Sequence, residues 1–191
     1  MPELDLLSID EGLAALPLGT AQVTDADAVQ LSTIISAASA RLEQRIGCSV
    51  FRTVDAEQHS PRRPPILLRR WPVAELVSVA EDGVTLAATD THLEPAWGVL
   101  RRVRYRGVAD WTCTPGGVVV SYRAGRCGST ADVDPRIKAA AQIVVRHMWE
   151  QDHTLGAAMT DQGFPLSTPR SFSVPKRALD LVADLVRPSF F

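Results

Sequence analysis

The side chains able to do chemistry are few and scattered. Four histidines, His59, His92, His147 and His153, include no pair at the i, i+4 spacing that sets two imidazoles on one helix face for a metal. Three cysteines, Cys48, Cys113 and Cys127, are odd in number and far apart, which fits reduced thiols better than a disulfide framework or a zinc site. Asp82, Asp90 and Glu94 fall near turns, where acids are common for conformational reasons. Gly116 and Gly117 precede a strand instead of following one, no glycine-rich segment leads into a helix with a phosphate-binding lysine, and GxSxG is absent. The pattern predicts no catalytic residue, no cofactor and no metal. An enzyme with a dispersed site is the alternative it leaves open.

The arginines form the one concentrated chemical feature. "SPRRPP", "LLRRWP" and "LRRVRYR" could follow a nucleic-acid backbone, with Trp71, Trp97, Trp111 and Tyr105 nearby as stacking partners. Side chains alternate along a strand, so Arg102, Arg104 and Arg106 are expected on one face as a basic, DNA-facing or neighbour-facing row, with Val103 and Tyr105 on the other. The wet face of any antiparallel strand gives the same alternation, and no nucleic-acid-binding motif accompanies it. A small nucleic-acid-binding module is therefore a secondary reading.

Charge and composition bound the class. The chain has 191 residues, 46% hydrophobic and 22% charged, with a net charge of −2. That length suffices to bury about 70% of the unfolded chain's surface, and the charge exerts no global pull on nucleic acid or anionic membrane. The distribution is uneven: residues 1–51 carry two basic and seven acidic side chains, residues 52–126 eleven arginines and eight acids, and residues 127–191 seven of each. The first residues, "MPELDLLSIDEG", lack a basic segment followed by an apolar run, and no apolar stretch approaches a membrane span. A cytosolic protein with no membrane contact is expected.

The elements that must position these residues follow from local signals. Thr24 and Asp25 cap a helix over 25–46, whose stripe is Leu31, Ile34, Ile35, Ala38, Leu42 and Ile46, with Ser32, Ser36, Ser39, Glu43 and Gln44 outside and Gly47 as the stop. Over 49–124 short β-like runs separated by Pro, Gly and Asp predict an antiparallel meander, with Asp82-Gly83 as a two-residue hairpin loop. Asp134 with Pro135 opens a second helix over 134–151, carried by Ile137, Ala140, Ala141, Val144 and Met148. A loop over 152–172 follows. Ser173 and Pro175 then start a third helix over 174–187, striped by Ala178, Leu181, Val182 and Leu185, which Pro188 ends. The reading is a single α+β domain over 1–191, a three-helix body with an inserted antiparallel β meander.

That order of elements resembles a family. The helix ending "LEQRIG", the strand with Val118, Val120, Tyr122, Ala124 and Gly125, the helix "VDPRIKAAAQIVVRHMWEQ" and the closing "FSVPKRALDLVADLVRP" are similar to the head-tail connector, or adaptor, proteins of long-tailed bacteriophages and prophages. "ILLRRWPVAELVSVAEDGVTL", a short "GVLRR" strand and Trp111 match one form of it, so the resemblance spans roughly 25–188. The 21-residue loop and the arginine content depart from the pattern. The resemblance implies a non-enzymatic subunit of the virion neck, made in the host cytoplasm. It implies a homo-oligomeric ring, usually of twelve, beneath the portal protein, which receives the stopper or tail-completion protein and lets DNA pass with non-specific contact at most. A stopper or tail-completion protein itself, expected to be mostly β, is the runner-up. In this reading the apolar tail Pro188, Ser189, Phe190 and Phe191 inserts into a portal crevice.

Overall fold

The computed structural model describes residues 5–16, 24–60, 65–105, 107–157 and 173–187. The fold is α+β, with four helices and antiparallel sheets among these residues. It divides into two compact units, one made of residues 1–46 with 129–191 and the other of residues 47–128.

The first unit is helical. Its opening element, α1 (Ile9–Ala15), has no counterpart in the sequence reading, yet a capping box marks it. The Ser8 hydroxyl accepts from the Glu11 amide at 3.2 Å while the Glu11 carboxylate accepts from the Ser8 amide at 2.9 Å. At seven residues α1 would not persist alone. Three things hold it: Leu6 and Leu7 are fully buried just ahead of it, Gly12 lies so close to Ile35 that an added Cβ would stand 2.6 Å from its Cδ1, and Lys138 Nζ reaches Glu11 at 2.6 Å.

The second helix, α2 (Asp25–Ile46), has the bounds that its periodicity predicts, and Thr24 and Asp27 close its first turn reciprocally. All six stripe residues are buried. Ser39 and Glu43, expected outside, are buried as well. The segment before α1 covers Ser39, whose hydroxyl accepts from the Leu6 amide at 3.0 Å, so the buried face is wider than the stripe.

Asp134 caps α3 (Pro135–Ala157), accepting from the Arg136 amide at 2.8 Å through Oδ1. This helix runs past the expected end at 151, and its buried row continues through Val145 and Trp149, leaving Met148 half-buried. The expected third helix breaks up. Only α4 (Lys176–Asp180) is helical, Val182 departs from helical geometry at φ −124, and a 3-10 turn at Ala183–Leu185 follows. Pro175 is the residue before the helix and offers no side-chain cap, so the buried Ala178 and Val182 and the Arg136–Asp184 ion pair at 3.1 Å hold the segment. The helix α2 packs on α3, α1 lies against both, and α4 lies against α3.

Apart from a 3-10 turn at Ala88–Asp90, the described elements of the second unit are strands. Its strands are β1 (Arg52–His59), β2 (Ile66–Leu67), β3 (Val73–Glu81), β4 (Val84–Thr85), β5 (Thr91–Glu94), β6 (Val99–Arg104), β7 (Gly107–Ala109) and β8 (Val118–Ala124). One antiparallel sheet has the order β1-β8-β3-β4; in the other, β6 is central between β2 and β5 and also pairs with β7. The run β5-β6-β7 is a local meander, whereas β8 returns from far along the chain to the centre of its sheet. Asp82 and Gly83, at φ 50 and 81, join β3 to β4 in the two-residue loop expected there.

The β8 strand carries the core. Val118, Val120, Tyr122 and Ala124 alternate with partly or fully exposed residues and are themselves fully buried, packed with Leu68, Val79, Leu100 and Trp111. Gly125 follows because nothing larger fits: its φ is 134, and an added Cβ would lie 2.7 Å from the Phe51 Cα.

Candidate functional site

Two polar features of the β unit stand out, one buried and one exposed. The buried one begins with a bulge. Ala56 takes φ 53, its amide donates to the Ser121 hydroxyl, and the β1–β8 register shifts between Val54 and Glu57. The extra residue inverts the alternation of β1, turning Glu57 and His59 inward where Arg52 and Val54 were the inner residues before it.

Glu57 is thereby buried and fully engaged. Its Oε2 accepts from the Tyr122 hydroxyl at 2.6 Å, its Oε1 accepts from the Arg69 amide at 3.1 Å, and His59 Nε2 lies 2.8 Å from Oε1. The Tyr122 oxygen in turn accepts from the Arg70 amide. Burial and the carboxylate beside it push the Tyr122 hydroxyl far above its ordinary titration range. Burial, aided by Arg69, pushes the His59 imidazole below its ordinary value, with Glu57 opposing. The network ties β1, β8 and the turn at 69–70 together.

The exposed feature is the arginine strand, and here the structure separates residues that alternation groups together. Arg102 is 4% exposed, on the same side of β6 as the fully buried Leu100. Its Nε lies 3.1 Å from Glu81 and its Nη1 donates to the Asp90 carbonyl at 2.7 Å, while Glu81 also accepts from the Thr112 amide. Arg102 is therefore a clamp between the two sheets and not a member of an exposed basic row. Arg101 pairs with Glu94. Arg104 is exposed and makes no ion pair among the described residues. Arg106 lies outside the described residues, as do Pro188, Ser189, Phe190 and Phe191. Beside this strand runs an open groove of about 650 Å³ lined by Glu81, Asp82, Asp90, Arg102, Arg104 and Trp111. The Trp111 Nε1 is buried and has no hydrogen-bond partner among the described residues.

The remaining candidates stay apart. His92 is exposed on β5, and His147 lies 3.2 Å from the Gln151 amide one turn on. Cys48 is buried, Cys113 exposed and Cys127 half-buried, and none of the three is in a disulfide. Among the described residues no group of three or more His, Cys, Asp or Glu is placed to hold a metal ion. None of the described helices is long and apolar enough to cross a membrane.

The chain is α+β, with a helical unit and a β unit in which buried polar groups hold strands together. No protein-family model matches the chain, and no curated protein matches it. Solved structures do, across nearly the whole length. A chain of the "Virion of native gene transfer agent (GTA) particle" is 16% identical, with a TM-score of 0.59 over 97% of this chain and 92% of that one. A chain of the "Neck of empty GTA particle computed with C6 symmetry" is 18% identical, with a TM-score of 0.58 over the same shares. A chain of the "Neck of native GTA particle computed with C12 symmetry" is 16% identical, with a TM-score of 0.54 over 100% and 98%. The chain has the fold of these particle components.

Proposed function

We propose that this chain is a non-enzymatic structural subunit of a phage-like neck, a head-tail connector (adaptor) that forms a ring beneath the portal. The observation that carries the reading is the whole-length likeness to chains of neck structures, one of them computed with C12 symmetry. The adaptor-like order of elements in the sequence supports it, and so does the use of the buried polar groups described above for architecture. In this role the subunit is made in the host cytoplasm and assembles in twelve copies at the virion neck. It binds the portal on one side and a stopper or tail-completion protein on the other, and touches passing DNA without reading its sequence. The Pro188–Phe191 tail is the segment assigned to the portal.

Electron microscopy of particles produced with the gene deleted and then restored tests the role. Heads without tails beside complete free tails are expected, with joined particles on restoration; intact tailed particles from the deletion would end the connector reading. Removing residues 188–191 should release the subunit from the portal while leaving it folded, and unchanged attachment would remove the tail from the interface.

A further inference from the structure

The tip of the β6–β7 hairpin is built against local preference. Arg104 pairs with Gly107 across it, and Tyr105 follows Arg104 at the first position of the connecting loop, where Asn, Asp or Gly is favoured. Tyr105 nevertheless sits there at φ 50, a left-handed conformation that is strained for a bulky side chain. Its own subunit gains nothing in return, because the ring is fully exposed, with Val108 of β7 exposed nearby. Arg101 and Arg102 are each held by carboxylates, whereas Arg104 at the tip has no charged partner among the described residues. A strained, solvent-facing aromatic next to an uncompensated guanidinium has the composition of an interface anchor.

The chain carries a surface that complements it. The helical unit has fourteen acidic and nine basic side chains, net −5, and the β unit eight acidic and eleven basic, net +3. The most exposed large apolar residue described in the helical unit is Val29, at 71%, one turn along α2 from the exposed Asp25. Residues four apart share a helix face, so an apolar spot and a carboxylate stand side by side.

We propose that the β6–β7 hairpin of one copy seats on the first two turns of α2 in the next copy, with Tyr105 covering Val29 and Arg104 facing Asp25. The proposal rests on the ring reading given above. It joins two different patches, the head-to-tail kind of contact that closes into a ring, whereas a patch meeting itself would stop at a dimer. The opposite charges set the register and speed the encounter.

Disulfide trapping tests it in the full chain. With Cys113→Ser removing the exposed native thiol, a chain carrying Tyr105→Cys and Val29→Cys should give an oxidative ladder extending past dimers, reversed by reductant. Tyr105→Cys combined with Val77→Cys, a similarly exposed site on the β unit, should give none. Independently, Arg104→Asp should raise the concentration for half-assembly by about tenfold, and adding Asp25→Arg should restore it to within about threefold. Both residues are exposed, so folding is not at stake. If the parent chain sediments as an oligomer but the double-cysteine chain gives no ladder and the charge swap gives no rescue, this contact is wrong and the ring reading stands. A parent chain that is monomeric both in solution and in particles overturns both.

Discussion

Tyr122→Phe isolates the buried network. The ring of Tyr122 is fully buried and phenylalanine fills the same space, so no cavity opens and the change removes only an oxygen. That oxygen donates to Glu57 at 2.6 Å and accepts from the Arg70 amide at 3.1 Å. A hydrogen bond to a charged group contributes about 1.5–3 kcal/mol, and stranding its buried partner adds to the loss. A net loss of about 3 kcal/mol is expected. With a urea m-value of about 1.5 kcal/mol/M, the midpoint should fall by about 2 M at unchanged slope. Tryptophan fluorescence is a suitable probe, since Trp71, Trp97 and Trp111 all belong to the β unit. Glu57→Gln keeps one acceptor oxygen for two donors and should cost less, and the pair of substitutions should be non-additive by about 1 kcal/mol or more. A shift below about 0.5 M for Tyr122→Phe, or simple additivity with Glu57→Gln, would refute the network as the brace of this sheet.

Four further outcomes are expected. Arg102→Met should destabilise the β unit by about 3 kcal/mol because Glu81 loses its buried counter-charge, whereas Arg104→Met should stay within about 0.5 kcal/mol, both read by urea unfolding. Gly125→Ala, which forces a left-handed φ and a 2.7 Å approach to the Phe51 Cα, should cost about 3 kcal/mol or more and depress soluble yield. Stability should fall as the pH drops below about 6.5: the fold disfavours the His59 imidazolium, so the unfolded chain takes up that proton first, and His59→Gln should flatten this part of the pH profile. A second loss should begin below about 4.5, where the Glu11 carboxylate, held low chiefly by its hydrogen bond from Lys138, takes up its proton more readily in the unfolded chain; Lys138→Met should weaken that step in thermal melts.

Much of the scaffold is legible along the chain because its signals are local. Thr24 and Asp27 close the start of α2 within one turn, Asp134 with Pro135 does the same for α3, and Asp82-Gly83 writes the β3–β4 loop into two adjacent residues. The alternation of Val118, Val120, Tyr122 and Ala124 predicts a strand with one buried face, and the four are buried together. The helix α1 was legible in principle, since Ser8 and Glu11 stand at capping-box spacing. It goes unread in an acidic opening segment whose helix is too short to show a period.

Position across the chain is decided elsewhere. Sequence alone determines that this is an α+β chain with two long amphipathic helices and a β-rich middle, because caps, loops and periodicity act between neighbours a few residues apart. Only the tertiary structure places β8 between β1 and β3, turns Glu57 inward at the Ala56 bulge, buries Ser39 under Leu6 and makes Arg102 an internal clamp while Arg104, two residues on, stays free. Each of those outcomes depends on a partner between 12 and 72 residues away or on the burial of a whole face, and alternation along a strand is the same whether its arginines meet water or a carboxylate.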